Sequence, residues 1–499
     1  MQLKRTGFIL GILSFILFCF FIDLSDSNPN ISRMAAVASL MAIWWITEPV
    51  PLAVTSLIPI VLFPVTGIEK GDVTAATYIN STIFLFFGGF LLALAMEKWN
   101  LHKRMALKII LLFGGSQHRI IMGFMVATAF LSMWISNTAT AVMMLPLAMS
   151  IVGQLEEMFD KDSVRNFSTS LMLGVAYSCS IGGIATIIGT PPNLSFLRIF
   201  HIIFPSGPDI SFGIWLVMIM PLSVVLLSFT WFLLCRILFK AEKNIIISDN
   251  VIRVEYQKLG VIKREEKIIG FIFIITAVLW MFRSDLEIGI ITIPGWSNFL
   301  NYPDYINDGT IAIFMGILLF ILPSAERGKI LDASVLTKIP WDIILLFGGG
   351  FALAKGFVVS GLSEFIGTGF SGLSFLHPFL IMLLAGTVIT FLTELTSNTA
   401  TAEMILPILA SISVAIGLNP LLLMLNGTLS ASMAFMLPVA TPPNAVVFGS
   451  QRVQMRDMVK AGLLLNIAGI ITITVTVYFY AVYILNIDLS QMPQWALTR

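Results

Sequence analysis

The sequence predicts an all-α polytopic membrane protein with about 11 transmembrane helices plus two re-entrant hairpins in inverted repeats. Three observations carry that expectation. Charged residues are 11% of the 499 and hydrophobic ones 57%, against roughly 25% charged in ordinary soluble domains, and mean hydropathy is +0.93. Many apolar runs reach the ~20 residues that a helix needs to cross a bilayer. Three short motifs also occur twice, in the same order, once in each half.

Ser-Asn-Thr-Ala-Thr-Ala stands at Ser136–Ala141 and again at Ser397–Ala402, an offset of 261, each time followed by Leu-Pro (Leu145-Pro146 and Leu406-Pro407). Gly88-Gly89-Phe90 and Gly349-Gly350-Phe351 share that offset. Thr190-Pro191-Pro192-Asn193 and Thr441-Pro442-Pro443-Asn444 repeat at 251. The 10-residue difference falls between the two motif types and is accounted for by the polar stretch Gln154–Phe167, read as a loop insertion. In a membrane protein, duplicated halves with helix-breaking motifs at matching places mark a secondary transporter.

In chain order, residues 1–33 hold an N-terminal helix. Lys4 and Arg5 precede an apolar run from Phe8 to Ile22, but Asp23–Ser27 lacks the small-x-small cleavage pattern, so the helix is read as uncleaved. The first repeat is 34–235, with a re-entrant hairpin at 120–152 and a broken helix at 168–200. A cytoplasmic linker covers 236–265. The second repeat is 266–499, with a hairpin at 375–415 and a broken helix at 421–450. Further helices are expected at about 7–24, 34–48, 51–66, 81–98, 212–235, 266–283, 308–323, 339–360 and 460–487.

Lys and Arg in short loops mark the cytoplasmic side. With a cytoplasmic N-terminus, the basic clusters fall together: Lys98 to Arg119, Arg236 to Lys267 (Lys243 included), Arg327, Lys329 and Lys338, then Arg452, Arg456 and Lys460. The alternation holds only if both SNT stretches enter and leave on one side. Eleven crossings put the C-terminus outside. Five crossings per half, an odd number, invert the second copy relative to the first.

Net charge of +1 leaves no basic surface for nucleic acid. Cys19, Cys179 and Cys235 lie in apolar runs and give neither a disulfide framework nor metal spacing. His102, His118, His201 and His377 are scattered, which argues against zinc. No nucleophile with a base is found for an intramembrane enzyme, and a channel needs no pair of hairpins. No cofactor is expected beyond a coupling ion.

Backbone groups bared in hydrocarbon cost several kcal/mol each, so broken helices persist only where protein or a water-filled cavity lines them. The Thr-Pro-Pro motifs must break their helices, freeing the carbonyls of Gly189 and Ala440. Ser, Asn and Thr at the SNT tips are N-cap residues, so each tip opens a helix whose positive end favours an anion. Neutral oxygens at the same places suit a weakly held hard cation such as Na⁺. With no Lys or Arg in the motifs, bound cations would supply the charge that an anion needs. A single SNT motif would be read as packing, since small hydroxyl residues are common between membrane helices. Two copies matched with two breaks point instead to a site. The glycine runs are read as packing. Among apolar-embedded acids, Glu394 and Glu403 are read as partners holding the second hairpin, with Glu48 and Asp342 near the interface.

These residues resemble the divalent anion/sodium symporter family. The resemblance covers nearly the whole chain: Trp44-Trp45-Ile46-Thr47-Glu48-Pro49, both SNT tips, both TPPN breaks, and the stretch Ala431–Ala440 running on to Asn444–Val447. It implies a homodimer in the membrane lipid, in which a transport domain carrying both hairpins and both breaks moves against a fixed scaffold, elevator fashion. It implies one Na⁺ site at Ser132, Ser136, Asn137 and the Gly189 carbonyl, and a second at Thr393, Thr396, Asn398 and the Ala440 carbonyl. Substrate would touch Asn137, Thr138, Thr190, Asn398, Thr399, Thr441 and Pro442. A C4-dicarboxylate such as succinate, malate or fumarate matches a site with two similar faces. Sodium-independent exchange, or citrate or sulfate transport, remains the alternative.

Overall fold

The computed structural model describes residues 2–240, 250–288, 291–325 and 328–497. Lys243, Arg327, Thr498 and Arg499 lie outside them, and so does the C-terminal end assigned to the outer side. Helices dominate, as the apolar runs demand. Among the described residues seven helices are long and apolar enough to cross a membrane, including Gln2–Phe20, Phe212–Leu238 and Met455–Ile484, and four shorter apolar helices accompany them.

The first SNT stretch forms a helical hairpin with arms Gln117–Ser132 and Asn137–Met158; the second has arms Pro378–Thr393 and Asn398–Ala415. The 261-residue offset therefore holds for Asn137 and Asn398 and for Gln117 and Pro378. Each broken helix is two pieces, Lys161–Gly183 with Pro191–Ile203, and Pro420–Ala431 with Pro442–Gly449. Both second pieces begin at the first proline of the TPPN motif, the N1 position that proline's fixed φ and missing N–H suit.

Several expectations need correction. The basic segment 98–119 is no loop: it holds the helix Leu101–Phe113, whose buried face includes Leu101, Ala106, Leu107 and Ile110. Residues 154–167 are also largely helical, since one arm runs on to Met158 and the next helix starts at Lys161. The segment 51–66 is two short helices, Leu52–Thr55 and Ile58–Thr66. A two-stranded antiparallel ribbon, Leu286–Ile288 with Ile291–Ile293, stands after residue 283.

Packing crosses between the halves. The short helix Pro191–Ile203 of the first half lies on the arm Asn398–Ala415 of the second, while Pro442–Gly449 lies on the arm Asn137–Met158. Arg452 pairs with Glu156 across the same divide. Helices Ser81–Lys98 and Asp308–Ile321 pack so closely that a Cβ on Gly88 would overlap Ala312. One large core runs through both halves; a second, smaller core joins the helix Pro29–Thr47 to Trp341–Ser360. That last helix serves both, giving Phe347, Phe351 and Ala354 to the large core and Leu346, Leu353 and Phe357 to the small one.

Candidate functional site

Each hairpin turns through a short non-helical link, and Ser136 or Ser397 is the N-cap of the arm that follows. Ser136 Oγ accepts from the Ala139 amide at 3.3 Å, while Ser397 makes no such bond. The first backbone amides to find helical partners are those of Thr140, on the Ser136 carbonyl, and Thr401, on the Ser397 carbonyl. Among the described residues the Asn137 and Thr138 amides, and those of Asn398 and Thr399, therefore lack backbone acceptors.

Beside each tip lies the same constellation of oxygens. Ser132 Oγ is 2.5 Å from Asn137 Oδ1 and 2.7 Å from the Cys179 carbonyl oxygen. Thr393 Oγ1 is 2.7 Å from Asn398 Oδ1 and 2.8 Å from the Ala431 carbonyl oxygen. Ser132 and Thr393 are 0% exposed. One hydroxyl proton cannot serve two acceptors at once, so in each triad an oxygen faces an oxygen without a proton between them. Positive charge relieves that crowding, and an all-oxygen neutral ligand set suits Na⁺. The amide of Asn137 also lies against Gly183, beside the Gly189 carbonyl. No amide donates to the Gly189 or Ala440 carbonyl among the described residues.

The freed backbone at each break is held by the last residue of its TPPN motif. Asn193 Nδ2 donates to the carbonyls of Thr186 at 2.7 Å and of Ile184 and Gly183 at 3.3 and 3.4 Å. Asn444 Nδ2 donates to the carbonyls of Leu437 and Ala434 at 3.0 and 3.1 Å. The bracing role of both side chains is missing from the expectations above, although the repeated Asn is itself the signal. The Cys179 and Ala431 carbonyls come from a different helix and leave no local mark in the sequence.

Other expected ligands have their own partners. Thr396 Oγ1 is engaged inside its hairpin, on the Leu392 carbonyl at 3.1 Å and Thr401 Oγ1 at 2.5 Å. Thr441 Oγ1 accepts from the Asn444 amide at 3.3 Å, and Thr190 makes no side-chain cap. The Glu394 carboxylate accepts the amides of Phe435, Met436 and Leu437 at 2.7, 2.8 and 3.1 Å, and Asn466 Nδ2 at 2.7 Å. It ties the second hairpin to the second break. The first half has Met133 at the matching place, whose carbonyl takes the Thr186 hydroxyl instead.

The matched residues differ in exposure. Thr138 is exposed and its counterpart Thr399 buried; Val142 is exposed and its counterpart Glu403 buried; Pro442 is exposed while Pro191 is half-buried. Thr138 beside the first tip and Pro442 of the second break are thus exposed together, while Thr399 and Glu403 of the second hairpin are buried.

Similarity to known proteins accords with this build. Residues 3–486 match the family described as the sodium:sulfate symporter transmembrane region. The sodium-dependent dicarboxylate transporter SdcS of Staphylococcus saprophyticus is 40% identical over 496 residues, covering 98% of this chain and 93% of that one. SdcS of Staphylococcus aureus is 41% identical over the same span. Among solved structures, the YdaH transporter of Alcanivorax borkumensis shares the fold at a TM-score of 0.56 and 12% identity, over 82% of this chain and 86% of that one. Neisseria gonorrhoeae MtrF does so at 0.57 and 12%, over 94% and 98%. The chain is a multi-pass membrane transporter and belongs to the sodium:sulfate symporter family.

Proposed function

We propose that this chain is a sodium-coupled symporter of divalent organic anions, with C4-dicarboxylates such as succinate, malate and fumarate as its substrates. The observation that carries the reading is the mirrored pair of oxygen triads, at Ser132 and Thr393, each beside a hairpin tip with free helix amides. The relatives named for sodium-dependent dicarboxylate transport support the ion and the substrate class. In this reading Na⁺ binds at the triads, with Ser136, Thr396 and the Gly189 and Ala440 carbonyls nearby. One carboxylate of the substrate meets Asn137, Thr138 and Thr190, and the other meets Asn398, Thr399, Thr441 and Pro442. Two bound cations neutralise a dianion in a site without Lys or Arg, so each ligand strengthens the other by the same factor.

Movement follows an elevator scheme in a homodimer. The hairpins and broken helices, knitted by cross-half packing, travel as one body past the helices of the small core. With the N-terminus in the cytoplasm the first hairpin opens inward, so the exposed Thr138 and Pro442 belong to an inward-facing state. The test is uptake of labelled succinate into proteoliposomes with and without a sodium gradient. Sodium-dependent uptake blocked by malate and fumarate at lower concentration than by sulfate or citrate is the expected result. Uptake indifferent to sodium would make the protein an exchanger. Stronger block by sulfate or citrate would move the substrate class.

A further inference from the structure

Glu403 is the acid that the transport scheme leaves unused. It lies on the arm Asn398–Ala415, is 0% exposed, and replaces Val142 of the first half. Its Oε1 accepts a hydrogen bond from Ser195 Oγ at 2.5 Å, across from the helix Pro191–Ile203. Its Oε2 has no hydrogen-bond partner among the described residues, and it fills the space a Cβ on Gly350 would take.

The surroundings supply no counter-charge. On the helices packed against this arm, the charged and titratable groups are Arg198 and His201, Asp342 and Lys355, Glu364 and Arg33, with Glu394 ending the partner arm. Lys355 pairs with Glu69, His201 with Asp209, and Glu394 with backbone amides. Arg33 bonds to Asn30 and the Thr66 carbonyl. Arg198 forms no ion pair with Glu403, and Asp342 and Glu364 are themselves acids. An ionised carboxylate in such a place goes without compensation, which buried charges do not tolerate. A metal ion would need several oxygens around it, but the contacts offer one hydroxyl and a glycine backbone. A proton needs no further ligand.

The position gives the proton a task. Ala402 and Leu406 of this arm belong to the large core, while Ala400 and Met404 belong to the small one, and Gly350 sits on the helix shared by both. Glu403 is thus wedged in the seam along which the second hairpin would slide. We propose that Glu403 is a proton-carrying group of the seam: the hairpin slides with the carboxyl neutral, and translocation stops once it ionises. The proton comes from water and returns to it on the side to which the seam opens.

Two measurements test this, and only the second rests on the sodium-coupled reading. Dicyclohexylcarbodiimide is an apolar reagent that attaches to protonated carboxyls, the proton passing to its nitrogen and the oxygen to its central carbon. Mass spectrometry of the purified protein should find Glu403 tagged at about pH 7 and the tag at least fivefold weaker at about pH 9.5. Tagging that is absent or unchanged with pH overturns the proposal. In proteoliposomes, sodium-driven succinate uptake should fall at least about fivefold over the same range, where both succinate carboxyls are ionised. Glu403→Gln, which mimics the neutral acid, should retain uptake and lose that fall. A flat wild-type profile overturns the proposal whatever the variant does. So does a folded Glu403→Gln protein that is inactive, since charge would then be required. Absence of dicarboxylate uptake at every pH would instead refute the proposed function and leave the labelling result to stand alone.

Discussion

Replacing Asn137 with Ala removes Oδ1 from the first oxygen triad and leaves Ser132 Oγ its bond to the Cys179 carbonyl. Asn137 is half-buried and, among the described residues, its side-chain oxygen bonds to Ser132 alone, so the fold should lose about 0.5–1.5 kcal/mol. A hydrogen bond or ligand contact to a charged group is worth about 1.5–3 kcal/mol, which is a factor of about 10 to 150 in a binding constant. Apparent sodium affinity should fall by that factor, so the sodium concentration needed to raise succinate affinity should increase by the same factor. Asn398→Ala, its mirror, should behave alike. The assay is the sodium dependence of succinate binding to purified protein, followed by thermal shift. Asn193→Ala is the contrast: that 0%-exposed side chain holds three carbonyls, and its loss should cost about 2 kcal/mol or more of stability. Wild-type sodium dependence in both Asn137→Ala and Asn398→Ala would falsify the assignment of the triads to Na⁺.

Three further outcomes are expected. Glu394→Gln turns one accepting oxygen into a donor facing backbone amides and should lower stability by about 2 kcal/mol; an unchanged melting temperature refutes the tie between hairpin and break. Asp209, in the loop after Ile203, is held below the usual carboxylate range by His201, 3.6 Å away, and then by Arg283 at 3.2 Å. A depressed folded value means stability present at neutral pH and lost as pH falls through it, so Asp209→Asn should lose less melting temperature than wild type between about pH 7 and pH 3.5; equal losses contradict this. Cysteines introduced at Ser334 and Tyr305, both exposed, should react with an impermeant maleimide from opposite sides of the membrane, and reaction from one side would overturn the charge-based topology.

Local signals made much of this fold legible. Prolines and N-cap residues act within a turn, so the starts of the arms at Asn137 and Asn398 and of the pieces at Pro191 and Pro442 could be read from spacing alone. The helix Leu101–Phe113 was hidden because Lys103, Arg104 and Lys108 share its sequence with the residues of its buried face. Arg104 is itself buried and paired with Glu266, a partner 162 residues away. The oxygen triads were half-visible for the same reason: Ser132 and Asn137 are neighbours in sequence, whereas Cys179 comes from another helix. Glu394 was recognised as a brace, but the amides it accepts exist only because the helix before Thr441 has unwound.

The exchange of short helices between the halves has a consequence for how the chain is made. Pro191–Ile203 leaves the ribosome almost 200 residues before the arm it packs against, Asn398–Ala415. At roughly 5–20 residues per second that is a wait of some ten to forty seconds, during which Asn193, Ser195 and Arg198 lack their final surroundings. The insertion machinery, or the membrane-water boundary, must shelter this segment until the second hairpin is threaded. Truncated products ending near the linker would then be quality-control substrates, and neither half would serve as a working carrier by itself.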